Sequence, residues 1–171
     1  MVTSKRNAFK FSITRLLKSP GEISEVQASG ILDDVFVTSA RLEPNEFVDV
    51  HGTLESVHSG VLFVGYVTAT IKTECRRCLG TTNETLNVEL RELFEKEYHE
   101  EIGDTYPISG EYVDLTEMVR ESLILALPAA PLCHNGCLGI CQICGLSLNE
   151  NACNHPDDGI DPRFRILDQL K

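Results

Sequence analysis

Apolar and polar residues alternate with a period of two through several stretches of this chain, the pattern of half-buried strands. Phe9, Phe11 and Ile13 predict a short strand, closed by Leu16-Leu17 and the breaker Ser19-Pro20-Gly21. Residues 22–46 are ambiguous, with Asp33-Asp34-Val35-Phe36-Val37 a candidate strand opening. Phe47 to Val57 alternates loosely, and His58-Ser59-Gly60 reads as a turn. Val61 to Thr73 is a long β-branched run that suits a pleated surface and fits a helix poorly. Leu86, Val88 and Leu90 mark a further strand over 83–94. The strands around residue 75 thus predict an antiparallel meander.

The period then changes. Glu95 to Glu111 is acidic and interrupted by Gly103, Pro107 and Gly110, which predicts a solvated loop. Leu115, Met118, Val119, Ser122, Leu123 and Leu127 fall near one helical face, and Pro128 stops the helix, giving a predicted span of 115–127. Asp114-Leu-Thr-Glu117 has the form of a capping box with Asp as the cap. Pro128-Ala-Ala-Pro131 is a stiff linker. Asp161-Pro162 opens a final short helix with Phe164, Leu167 and Leu170 on one side. The fold expected is α+β: an antiparallel β meander or partial barrel, one amphipathic helix, and a cysteine-rich C-terminal segment. The organisation expected is a body over 1–131 and a metal-knuckle segment with its short helix over 132–171, packed on that body.

Charge narrows the class. The chain has 171 residues, 42% apolar, with a formal net charge of −11. A protein that wraps nucleic acid through its phosphates usually has the opposite sign, which weighs against a DNA-binding zinc ribbon. The first 20 residues nevertheless hold Lys5, Arg6, Lys10, Arg15 and Lys18 and no acid. This arm either meets an anionic partner or folds back on the acidic body. The longest apolar run, around Leu123 to Ala126, is cut by Pro128 and Pro131, so no membrane span is expected. Neither a secretory signal nor a transit peptide is expected, and the cytoplasm is the expected compartment.

All seven cysteines fall in short-spaced groups: Cys75-x2-Cys78, Cys133-x3-Cys137, Cys141-x2-Cys144 and Cys153-x-His155. An odd number in knuckles argues for a reducing compartment and metal binding over a disulfide framework. Eight ligands serve two tetrahedral Zn2+ sites, so one or two zinc ions per chain are expected. The preferred division joins Cys141, Cys144, Cys153 and His155 in a local loop. Cys75, Cys78, Cys133 and Cys137 then tie a strand turn to the segment after the helix. The other division puts Cys133, Cys137, Cys141 and Cys144 on one metal, and His134 could replace His155. Gly80 and Gly145, close behind the second cysteine of their knuckles, suit the positive φ such loops often need.

Other chemistries have weaker support. A redox dithiol at Cys75/Cys78 has the spacing but has Arg-Arg inside it and no helix start behind it. An iron–sulfur run over 133–144 departs from ferredoxin spacing. There is no P-loop, no Gly-x-Ser-x-Gly and no His-Glu-x-x-His. His51, His58 and His99 read as exposed polar residues. No acid–base pair stands out, and a small-molecule substrate is not expected. Arg76 and Arg77, on a turn a metal would stiffen, are candidate contacts to phosphate or carboxylate, as are Lys5, Arg6 and Lys10.

These motifs occur in a set order: Glu74-Cys-Arg-Arg-Cys-Leu79, then Asp114-Leu-Thr-Glu-Met-Val-Arg-Glu-Ser-Leu-Ile-Leu-Ala-Leu-Pro128. Cys133-x3-Cys-Leu-Gly-Ile-Cys-x2-Cys-Gly-Leu-x-Leu-Asn149 and Asp161-Pro-Arg163 follow. In that order they resemble the YceD-like family, the large ribosomal RNA subunit accumulation proteins. The resemblance implies a cytoplasmic, non-enzymatic factor for accumulation or processing of 23S ribosomal RNA in large-subunit biogenesis. Its partners would be a large-subunit rRNA precursor, a basic ribosomal protein, or both. The competing expectation is a metal- or redox-responsive regulator, or a thiol oxidoreductase using the Cys75/Cys78 turn.

Overall fold

The computed structural model describes residues 8–97, 105–150 and 153–155. In chain order the elements are β1 Lys10–Ser12, a 3-10 turn Leu16–Lys18, β2 Ile23–Gly30, β3 Phe36–Val37, β4 Ala40–Leu42, β5 Val48–Ser56, β6 Gly60–Glu74, β7 Thr81–Glu95, β8 Tyr106–Pro107, β9 Tyr112–Asp114 and α1 Thr116–Ala126. Antiparallel pairing dominates and there is one α-helix among the described residues, as the α+β expectation required.

The long β-branched run becomes β6, 15 residues that organise the sheet. Val61, Phe63, Val67, Ala69, Ile71 and Thr73 all point to the same face and are buried, with Val64 and Tyr66 exposed on the other. One edge of β6 pairs along its whole length with β7. The opposite edge carries β5 over Val61–Ala69 and then β4 over Ile71–Thr73. β2 adds outside β5, and β3 outside β4. The ambiguous stretch 22–46 therefore contains three strands. β3 and β4 are hard to read because they are only 2 and 3 residues long, too short to show a period, whereas β2 buries alternate residues only in its second half.

Gly52 faces Gly65 across β5 and β6. A Cβ on Gly65 would sit 2.2 Å from the His51 carbonyl oxygen and 2.9 Å from the Phe63 ring. The fully buried Phe63 ring thus fills the space that side chains at both glycines would need.

On the buried side, β7 presents Leu86, Val88, Leu90 and Phe94 opposite Ala69, Val67, Gly65 and Val61. Helix α1 packs against β7 and buries Met118, Val119 and Leu123, with Leu115 and Leu127 at its ends. The Asp114 carboxylate accepts a hydrogen bond from the Thr116 backbone N–H at 3.0 Å, which satisfies one of the free donors of the first turn. The expected capping box is not completed: Glu117 pairs instead with Arg120 at 3.0 Å, one turn along. Leu127, ahead of Pro128, is pushed into extended backbone (φ −61°, ψ 131°) and the helix ends there.

The predicted strand at 9–13 is β1, and it pairs with β9 just ahead of α1, Phe11 opposite Val113. Phe9 and Ile13 are buried in the common core. Lys10 turns back over the Tyr112 ring, 4.9 Å from its centre, so this cation of the N-terminal arm lies on the body. Lys5 and Arg6 lie outside the described residues, as do His99 and the expected helix around Phe164.

The loop expected over 95–111 needs correction in its described second half. β8 pairs in parallel with the end of β7, and the Tyr106 ring packs 5.4 Å from that of Phe94. Its hydroxyl donates to Glu121 of α1 at 2.6 Å. The Ile108 N–H also donates to Glu95 O at 2.9 Å, so residues 105–108 are held to the end of β7 by backbone as well as by the Tyr106 ring.

Candidate metal centres

The turn between β6 and β7 carries Cys75 and Cys78. Two backbone bonds close it: Leu79 N–H to Cys75 O at 2.9 Å, and Cys75 N–H to Gly80 O at 2.9 Å. The positive φ belongs to Leu79 (+59°), not to Gly80 as expected. In the second knuckle the matching position, directly after Cys144, is Gly145 at +71°. The turn geometry sets this position one residue past the second cysteine, whatever side chain stands there. Leu79 tolerates it with its side chain largely in solvent.

The four sulfurs of Cys75, Cys78, Cys133 and Cys137 lie within 4.8 Å of one another. Cys75 Sγ is 3.8 Å from Cys137 Sγ, and Cys78 Sγ is 3.6 Å from Cys133 Sγ. A tetrahedron with Zn–S bonds of about 2.3 Å has edges of about 3.8 Å, whereas a disulfide needs about 2.05 Å. The Arg76 N–H donates to Pro131 O at 3.0 Å, and the Arg77 guanidinium donates to Cys137 O at 2.8 Å. Both arginines of the turn thereby join the strand hairpin to the segment after α1. Both residues remain exposed overall.

The second group, Cys141, Cys144, Cys153 and His155, also lies within 4.8 Å. It sits on a small hairpin. Ile140 bridges Ser147, Cys141 N–H bonds Leu146 O at 2.8 Å, and Leu148 N–H bonds Gly139 O at 2.9 Å. Cys141 Sγ is 3.6 Å from His155 Nδ1, the edge expected for Zn–S and Zn–N bonds of about 2.3 and 2.05 Å. Cys75 and Cys137 are buried, whereas Cys144 and His155 are exposed, so the second group opens to solvent. The eight residues are grouped as in the preferred division. The run 133–144 is split between the groups, and His134 belongs to neither.

The surroundings of the thiols push them in opposite directions. Cys75 is lowered to about 6 by the backbone amides of Cys133, Cys78 and Arg77. Cys141 is lowered to about 6 by the amides of Cys144 and Ile143 and by the Cys153 thiol. Cys137 is lowered chiefly by the Asn149 amide. Their neighbours move the other way. Burial, then Cys137 and Cys78, push Cys133 up to about 12, and Cys141 raises Cys153. Cys78 also ends raised: the Gly80 amide lowers it, but Cys75 and burial outweigh that. Amides are thus positioned for thiolates, while the thiolates oppose one another. A bound cation relieves that opposition, and amide donors around sulfur are the usual setting of a metal thiolate. The donor set, the separations and the surrounding amides fit a metal ion.

Spacing alone does not single out Asn149. Its side-chain amide donates to Cys137 Sγ at 3.3 Å, and its Oδ1 accepts from the Leu138 N–H at 2.8 Å. Only the folded hairpin, which returns the chain to Cys137, reveals it.

The sheet, the helix and the two sulfur-rich groups together define an α+β protein with a knuckled C-terminal segment. The model of one family, described as large ribosomal RNA subunit accumulation protein YceD, matches residues 63–171, and the chain belongs to that family. It is 32% identical over 179 aligned positions to an uncharacterised protein of Mycobacterium leprae, covering 99% of this chain and 82% of the relative. An uncharacterised protein of Mycobacterium tuberculosis (strain H37Rv) is 31% identical over 173 positions, with 92% and 79% covered. No solved structure matches the chain at a significant level. No helix among the described residues is long and apolar enough to cross a membrane.

Proposed function

We propose that this protein is a zinc-stabilised, non-enzymatic factor for the accumulation of large-subunit ribosomal RNA, working in the cytoplasm. Family membership supports the role, and the paired sulfur groups support the zinc. One ion would be held by Cys75, Cys78, Cys133 and Cys137, and a second by Cys141, Cys144, Cys153 and His155. Zinc, a closed-shell ion, would supply positive charge and a fixed tetrahedral node without redox chemistry. The chain's own contribution is to aim backbone amides at the sulfurs and to bring segments 75–78 and 133–137 together. The segment 132–171 is read as an extension knotted onto the body by the first centre.

The separation of 3.6–3.8 Å between paired sulfurs carries the zinc reading. The chain's net charge of −11 favours a basic ribosomal protein as partner, with the exposed Arg76 and Arg77 available to the rRNA precursor. The thiol-oxidoreductase alternative draws on the lowered Cys75, but that sulfur belongs to a residue only 1% exposed, out of reach of a substrate disulfide.

Two measurements test the proposal. Elemental analysis of protein purified without added metal should give two zinc ions per chain; iron, or no metal, refutes the zinc reading. Depleting the protein should lower large-subunit rRNA relative to small-subunit rRNA, and the intact gene should restore it. Unchanged rRNA after depletion refutes the role.

A further inference from the structure

We propose that Asn149 is a positioning residue that couples the two centres, so that the grip of the first on its metal depends on the folding of the second. This rests on the reading that both groups hold metal.

Residues 138–149 form a closed excursion. The chain leaves the first group at Cys137, makes the hairpin that carries Cys141 and Cys144, and returns at Asn149. The return is sealed twice by one side chain. Asn149 Oδ1 takes the Leu138 N–H at 2.8 Å, and Asn149 Nδ2 gives a hydrogen bond to Cys137 Sγ at 3.3 Å. The base of the hairpin also sits against the first knuckle. Gly139, at φ +82°, leaves room for a Cβ only 3.1 Å from the Arg77 carbonyl oxygen.

A neutral amide donor on a metal-bound thiolate has a defined effect. It withdraws charge from the sulfur and fixes its direction, and loss of such a partner typically costs about 10- to 100-fold in metal affinity. The backbone amides of the knuckle turns are held by the turns themselves. Asn149 is different: it lies 12 residues from the sulfur it serves, and the hairpin alone brings it there. The hairpin is short, with a single bridge pair between its arms, Ile140 and Ser147. Cys141 and Cys144 lie in its turn, and metal across Cys141, Cys144, Cys153 and His155 would tie that turn to the chain just past Asn149. When the second centre is empty the hairpin loosens, Asn149 withdraws, and Cys137 loses its side-chain donor.

Cobalt titration of the full chain, competed against a chromophoric chelator, tests this. A four-sulfur centre and a three-sulfur, one-nitrogen centre have different ligand-field bands, so both are followed in one experiment. Asn149→Ala removes both seals. Asn149→Asp keeps the acceptor for Leu138 N–H and removes the donor to sulfur. Both should weaken the first centre roughly 10-fold or more and leave the second unchanged. Cys144→Ser, which disables the second centre, should weaken the first by a similar factor in the otherwise intact protein, but not further on the Asn149→Ala background. The coupling is overturned if Asn149→Asp keeps wild-type affinity at the first centre. It is equally overturned if Cys144→Ser leaves that centre untouched, or weakens it equally on both backgrounds. Should Cys144→Ser fail to fold, His155→Ala, which disables the second centre from the other side, takes its place with the same expected outcomes. Failure of the wild-type chain to take up any cobalt strikes the metal reading itself, a distinct outcome.

Discussion

The Sγ atoms of Cys78 and Cys133 lie 3.6 Å apart although 55 residues separate them. Between them the chain runs down β7 and back through α1, so this contact closes a loop around the core. If the first group holds the proposed ion, stripping it should open the loop while leaving the sheet in place, since β5, β6 and β7 bury their own apolar face. Hydrogen exchange with and without a strong chelator should show lost protection in 131–150 and kept protection in 61–73. Uniform loss throughout would mean that the core cannot stand without the ion.

The two knuckles pose the same backbone demand to different residues. Leu79 holds φ +59°, a conformation that costs an L-residue about 1–2 kcal/mol. Leu79→Gly should therefore stabilise the protein by roughly 0.5–1 kcal/mol, the relief being partly offset by the freer unfolded chain. Gly145→Ala, at φ +71°, should cost about 1 kcal/mol and loosen metal at the second centre only. Thermal unfolding of both variants with metal bound checks the pair.

How much of this was legible beforehand depended on the range of the signal. Val61 to Thr73 announced β6 because a run of β-branched residues is a local signal. The helix was legible from Leu115 to Leu127 because its period is local too, with an error of one residue at each end. The positive φ at Leu79 was not legible, because glycine advertises that conformation and leucine conceals it. Glu117 turned to Arg120 rather than to the cap, a choice between two partners both within reach. The grouping of the seven cysteines and His155 was legible from spacing, but Asn149 was not. An amide that serves a distant sulfur leaves no local pattern, and only the path of the hairpin exposes it.

Gly65→Ala should be costly for its size. The new methyl would sit 2.2 Å from the His51 carbonyl oxygen, and backbone on the neighbouring strand cannot step aside as a side chain can. We expect a loss of about 1–3 kcal/mol, read from denaturant midpoints. An unchanged midpoint would mean that β5 and β6 can part locally.

Glu92 faces Phe63 in the inward phase of β7, and burial together with Glu121 raises its pKa above 4.5. A carboxyl whose folded value is raised favours the fold below the unfolded value. That contribution is lost as pH rises through the folded value. Glu92→Gln should thus melt higher than the wild type near neutrality, with the gap starting to close as pH falls through the raised folded value and gone once pH is below 4.5. Comparing the two proteins at each pH cancels effects they share, such as acid release of metal. A gap that does not change with pH would point to packing instead of charge.

Cys75 continues the same odd-numbered row as Val61, Phe63, Val67, Ala69, Ile71 and Thr73, and is 1% exposed. The sulfur is therefore directed inward by the very alternation that builds the core. Adding or deleting one residue in β6 would swing Cys75 to the outer side and dismantle the cluster without touching a ligand, whereas a change of two would leave it aimed correctly. Length variation in this strand should be tolerated only in even steps.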